Sequence, residues 1–150
     1  MIECPTCNVQ ERYVLEQLQT KAEIKDKTAL AVIMGNIKQE SGFRPNVCEG
    51  GAILPYDRCL RGGYGLIQWT TQSRYDGLGS FCKKYSCNPS SLEGQTRYMI
   101  NENQFQSELD EFQRPHQSVG FYMNSAYYWL GWGIKGPREQ YSYNYLKKFK

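Results

Sequence analysis

The stretch GNIKQESGFRP, Gly35 to Pro45, closes a run of helical periodicity and decides how the rest of the chain is read. Leu30, Ile33, Met34 and Ile37 recur at the 3.6-residue spacing of one helix face. Glu40 falls seven residues after Ile33 and three after Ile37, so it shares that apolar face. Thr28 is placed to cap a helix that starts at Ala29, and Gly42 and Pro45 end it near Ser41. A carboxylate turned toward apolar surroundings resists ionisation, and its pKa rises. Raised to about 6 or 7, such a group stays protonated at working pH and can donate a proton to a leaving group. The competing reading is that the helix ends at Ser41-Gly42 and Glu40 simply meets water.

Working outward, the chain supports one core. Its 150 residues suffice for a single domain spanning 1–150, and 40% hydrophobic with 22% charged residues is ordinary for a globular protein. No apolar run reaches the roughly 20 residues that cross a bilayer. The opening MIECPTCNVQ lacks the basic cluster and apolar run of a signal peptide. A net charge of +3 suits a polyanionic partner such as a cell wall. Nucleic-acid binding ranks low, since no basic helix or basic-aromatic ladder appears. Aromatics are abundant, with 12 Tyr and 3 Trp, and such rings either fill a core or stack on flat ligand faces.

Helical patterns also cover Val9–Gln19, Thr71–Tyr85, a segment after Ser90 with a Ser90/Glu93 capping box, a segment holding Phe105, Leu109 and Phe112, Val119–Leu130, and a last helix after Gly136-Pro137. Residues 46–70, NVCEGGAILPYDRCLRGGYGLIQWT, are rich in Gly and Pro with short strand-like runs, which predicts hairpins or an ordered loop. The predicted fold class is mainly α, with a small β-hairpin or irregular insert.

Two motifs then stand in order. Glu40-Ser41-Gly42-Phe43 is followed by Gly63-Tyr64-Gly65-Leu66-Ile67-Gln68-Trp69-Thr70. This pair resembles the lysozyme superfamily, and within it the phage tail lysozyme family, related to goose-type lysozymes and lytic transglycosylase domains. The preceding Gly35-Asn36-Ile37 and the later GWGIKGPREQYSYNYL also resemble that family. The likeness is dense over residues 28–80, loose beyond, and does not extend to residues 1–20. It implies an α+β lysozyme-like fold and cleavage of the β-1,4 bond between the amino sugars of bacterial peptidoglycan, needing no cofactor or catalytic metal. It also implies a virion tail location, with other tail proteins as partners.

On that resemblance Glu40 matches the proton donor. Hydrolysis further needs negative charge or an activated water opposite the developing cation. Asp57 and Glu49 both lie in the insert; Asp57, between Tyr56 and Cys59, is the preferred second carboxylate because a site must be pre-organised, whereas two glycines after Glu49 suggest a mobile loop. Gln68 matches a cleft-bordering glutamine, and Tyr64 a position where its hydroxyl reaches the acid or a sugar. Trp69 reads as a sugar platform or a core residue. Ser41 reads as a helix-end hydrogen-bonding group, Asp76 as an exposed helix residue, and the sole histidine, His116, as a loop residue. Two other outcomes stay open: a lytic transglycosylase working with Glu40 alone, and a non-catalytic wall-binding or structural module.

Six cysteines allow 15 pairings. The local set 4–7, 48–59 and 82–87 is one choice; a zinc site from Cys4, Cys7, Cys82 and Cys87 is another, and free thiols a third. A 48–59 bridge would brace the insert around Glu49 and Asp57.

Overall fold

The computed structural model describes residues 1–60 and 62–150. Eight α-helices are formed among them: α1 (Val9–Thr20), α2 (Lys27–Ser41), α3 (Gln72–Tyr85), α4 (Leu92–Asn101), α5 (Asn103–Gln106), α6 (Leu109–Gln113), α7 (Val119–Leu130) and α8 (Arg138–Lys148). The class is mainly α, as expected. The chain divides into two units, Met1–Gln39 with Ile100–Lys150, and Glu40–Met99.

Local chemistry explains where the helices begin. Asn8 and Glu11 form a reciprocal capping box at α1. At α2 the cap is Asp26 rather than Thr28: Asp26 Oδ1 accepts from the backbone N–H groups of Thr28 and Ala29 at 2.9 and 3.0 Å. A carboxylate two residues earlier satisfies orphan donors of the first turn and suits the positive helix end. At α4 the cap is Ser91, whose Oγ accepts from Gly94 N at 3.0 Å; Ser90 instead accepts from Tyr56 N in the insert. The single helix expected around Phe105–Phe112 is two short ones, because the chain turns at Ser107–Glu108.

The first unit is built on aromatic packing. Phe105 on α5 and Phe112 on α6 stack on each other, and both meet Trp129 of α7 edge-on at 5.1 and 6.1 Å. Along α2, Leu30, Ile33, Met34 and Ile37 have no exposed surface, each worth about 1.5–3 kcal/mol of burial. Gly35 explains itself here. A Cβ at this position would lie 2.6 Å from the backbone nitrogen of Ser142 on α8, so only glycine lets the two helices approach so closely. Asn36, fully buried, donates to Val32 O and accepts from the guanidinium of buried Arg138 at 3.3 Å. Glu3 and Lys150 exchange two backbone hydrogen bonds at 2.9 Å.

The second unit packs Trp69 against Tyr98 of α4, whose hydroxyl donates to Arg74 O on α3. Leu78 and Cys82 of α3 are buried as expected, while Tyr75 and Phe81 are only half-buried. The described residues of 46–70 form no extended strand. They form three isolated bridges, Val47–Ile53, Cys48–Tyr64 and Tyr64–Trp69, and a 3-10 turn over Tyr56–Arg58. The cysteines take the local pairing: Cys4–Cys7, Cys48–Cys59 and Cys82–Cys87. Sulfurs held in these bridges cannot serve as the thiolates of a four-cysteine zinc site. Among the described residues, no helix is long and apolar enough to cross a membrane.

Candidate active site

Glu40 lies at the last turn of α2, half-buried rather than sunk in the core. The preceding stripe residue Ile37 is fully buried, so the apolar face gives way to solvent within one turn. Just beyond, Gly42 and Phe43 both take the left-handed conformation, at φ 62° and 64°. For a bulky Phe this is unusual and costs on the order of 1 kcal/mol, offset here by full burial of its ring. Ser41 fixes the turn. Its Oγ accepts from Phe43 N at 3.1 Å and donates to Leu66 O at 2.6 Å. One buried hydroxyl therefore ties the Glu-Ser-Gly-Phe motif to the Gly-Tyr-Gly-Leu-Ile-Gln motif.

Gln95 makes a second tie, and sequence reasoning missed it. This wholly buried amide accepts from Leu66 N at 2.8 Å and donates to Pro45 O and Pro89 O at 2.6 and 2.9 Å. Gly65 leaves room for it: a Cβ there would lie 2.6 Å from Gln95 Oε1. The signal was available, because Gln95 shares a helix face with Tyr98 and Met99, the same polar-on-apolar pattern that singled out Glu40.

Gln68, itself left-handed at φ 55°, donates through Nε2 to Val47 O and Gly65 O. Its amide protons thus brace the insert. Tyr64 and Trp69 have no exposed surface, and the Tyr64 hydroxyl donates to Leu54 O at 3.1 Å. Both rings are packed inside the second unit in this arrangement, and Trp69 takes the core position that was one of its two expected readings. Residue type announced an aromatic, but only packing decided that it was a core one.

Asp57 is exposed on the 3-10 turn, and its neighbours are firmly held. Tyr56 and Tyr75 stack with ring centres 4.4 Å apart, and each hydroxyl donates to the other residue's carbonyl. Tyr64 meets both rings edge-on. Tyr56 N donates to Ser90 Oγ, and the Cys59–Cys48 bridge lies two residues beyond Asp57. Burial, followed by the neighbouring Tyr56 and Tyr64 and the carboxylates of Asp57 and Asp76, pushes the Tyr75 hydroxyl up to about 12. Burial also raises Tyr56 and Tyr64. All three phenols are therefore neutral donors at physiological pH.

Asp57 lines a hollow of about 360 Å³ together with Tyr56, Gly62, Gln72, Tyr75 and Asp76. Asp76 is exposed as expected, accepts from Gln72 Nε2, and shares this hollow. Glu49 packs against Gly62 of the hollow's lining and is not on a free loop. Its backbone N–H donates to Gly63 O, and its side chain packs so tightly on Gly62 that a Cβ there would fall 2.5 Å from its Oε2. His116 sits in a loop, its N–H donating to Asp26.

A mainly helical chain whose Glu-Ser-Gly-Phe helix end is tied through Ser41 to a Gly-Leu-x-Gln segment is lysozyme-like. A family model described as Phage tail lysozyme matches residues 10–130, and the chain belongs to the phage tail lysozyme family. No match is found among curated proteins or among solved structures. Membership gives the chain a lysozyme-like, peptidoglycan-acting function and a phage origin.

Proposed function

We propose that the chain is a muramidase, hydrolysing the β-1,4 bond between N-acetylmuramic acid and N-acetylglucosamine, and that it acts from the virion tail on the host wall as a single catalytic module. Glu40 is the general acid: it protonates the glycosidic oxygen as the bond to the anomeric carbon breaks. Asp57 is the second carboxylate, stabilising the oxocarbenium-like cation or drawing a proton from the attacking water. The observation that supports this most is the Ser41 bridge to Leu66, which fixes the Glu40 turn against the second motif. The stacked tyrosines beside Asp57 support its choice over Glu49.

The test is mass analysis of muropeptides released from purified sacculi by wild type and Glu40→Gln. New reducing ends are expected from wild type, and release slowed about 10²- to 10⁴-fold in the variant. Wild-type rates from folded Glu40→Gln would remove Glu40 from the mechanism. Anhydro ends alone would make the enzyme a lytic transglycosylase, and no products at all would make the chain a wall-binding module.

A further inference from the structure

Where α7 gives way to α8, the first unit displays rings that its core does not use. Tyr127 and Tyr128 are 46% and 64% exposed, and Trp132 is half-buried beside them. Single exposed aromatics need no explanation, but a contiguous group does. Tyr127 meets Trp132 edge-on at 5.3 Å and Tyr128 at 5.4 Å. The guanidinium of buried Arg138 lies over the Trp132 ring, 4.5 Å from its centre. That guanidinium is itself held by Asn36. The cluster is thus pre-organised, and little side-chain freedom is lost when something settles on it.

We infer that Tyr127, Tyr128 and Trp132 form a platform for the glycan strand of peptidoglycan, gripping sugar rings other than the pair whose bond is cut. The inference rests on the peptidoglycan-acting reading above. Flat hexose faces stack on aromatic rings, and phenol and indole tips bond sugar hydroxyls. The charge around the rings fits uncharged sugar faces rather than a phosphate backbone. Lys135 is paired with Glu139 at 3.0 Å and Arg138 is buried, so the free cations that a nucleic-acid strand would need are not offered by these two residues. Gly136, four residues past Trp132, packs on the Gln39 side chain, where a Cβ would lie 2.9 Å from Nε2.

The experiment uses Glu40→Gln protein, so that glycan is bound and not consumed. Probes are purified sacculi, by depletion from solution, and an N-acetylglucosamine tetramer, by tryptophan fluorescence. Trp69 and Trp129 are fully or nearly fully buried, so a ligand-induced change should report Trp132 and vanish in Trp132→Phe. Tyr127→Ala/Tyr128→Ala should weaken sacculus binding about tenfold, while Tyr127→Phe/Tyr128→Phe stays within about threefold. Ile134→Ser, at an apolar residue 82% exposed on the same loop, should leave binding within about twofold of the parent.

Unchanged sacculus binding by the double Ala variant, with unperturbed circular dichroism, would overturn the platform. So would an Ile134→Ser loss as large as that of the rings, which marks a general apolar contact with protein. A dimer seen by sedimentation and abolished by the double Ala variant would mark the patch as a contact between copies instead. Muropeptide release by wild type separates the failures. If release occurs and the rings prove idle, only the platform falls; if wild type neither releases muropeptides nor binds sacculi, the peptidoglycan reading falls with it.

Discussion

Along α2 the side chains of Leu30, Ile33, Met34 and Ile37 have no exposed surface, and the helix keeps its shape by packing. In residues 46–70, a few positions later, the described residues form only three isolated bridges, and packing of buried Val47, Tyr64, Leu66, Ile67 and Trp69 is supplemented by a few specific restraints: one disulfide, a tyrosine pair exchanging hydroxyl hydrogen bonds, and the amides of Gln68 and Gln95. The two candidate carboxylates are divided between these regimes, Glu40 on the packed helix and Asp57 on the braced turn. Packing is non-directional and shared among many atoms, so it tolerates small losses. Hydrogen bonds and a cross-link are few and specific, so each can be removed by a single atom's change. The insert should therefore fail under conditions that leave the helix intact.

The sharpest test of this contrast is at Asp57. Asp57→Asn keeps the turn's shape and removes its charge, and muropeptide release should fall about 10²-fold with an unchanged melting curve. A fully active variant alongside a dead Glu49→Gln would move the second carboxylate to Glu49.

Next is the cross-link. Cys48→Ser/Cys59→Ser opens an 11-residue separation, and urea denaturation should record a loss of about 2–3 kcal/mol. Hydrogen exchange should place the loosening in residues 46–70 and not in α2. Uniform loosening would erase the distinction between the regions.

The packed region has its own weak point in Gly35. Gly35→Ala improves helix propensity, yet its methyl meets the Ser142 backbone, so stability should drop by about 1–3 kcal/mol. A stabilised variant would show that α2 and α8 have room to separate.

The smallest effect is expected at the tyrosine pair. Tyr75→Phe deletes the hydroxyl given to Tyr56 O and should cost about 1 kcal/mol. The same group sets an alkaline limit. Its folded pKa of about 12 lies above the ordinary 10, so its contribution is complete below pH 10 and is lost as pH rises toward 12. Tyrosinate absorbance and near-ultraviolet circular dichroism should change together there in wild type, and Tyr75→Phe should remove that part of the transition. Helix α2, which contains no tyrosine, should keep its amide protection through it.

What could be read from sequence follows the same division. Periodicity located α1, α3 and α7 to within a residue or so, because apolar spacing is what buries them, and Gly136-Pro137 marked the start of α8. Caps were harder, since Asp26 and Ser91 each compete with an equally suitable neighbour, Thr28 and Ser90, and backbone geometry chooses between them. Phe105, Leu109 and Phe112 kept helical spacing across a break at Ser107–Glu108, so one helix was expected where two exist. Within the insert, Tyr64 was recognisable as a motif member but not as a core residue, and for Trp69 the core reading stood beside that of a sugar platform. Helix-face spacing marked Gln95 as a polar group on an apolar face, but its three partners, up to 50 residues away, were not legible.

All three cysteine pairs are close in sequence, separated by 3, 11 and 5 positions. Loop closure becomes less probable as the loop lengthens, so each thiol meets its proper partner more often than any distant one. Of the 15 possible pairings, the observed one is also the one that chance encounters in an unfolded chain favour. A protein of this kind can be synthesised with free thiols in a reducing host cytosol and oxidised later with little scrambling. The insert would then be locked by air alone, without a disulfide isomerase to sort its partners.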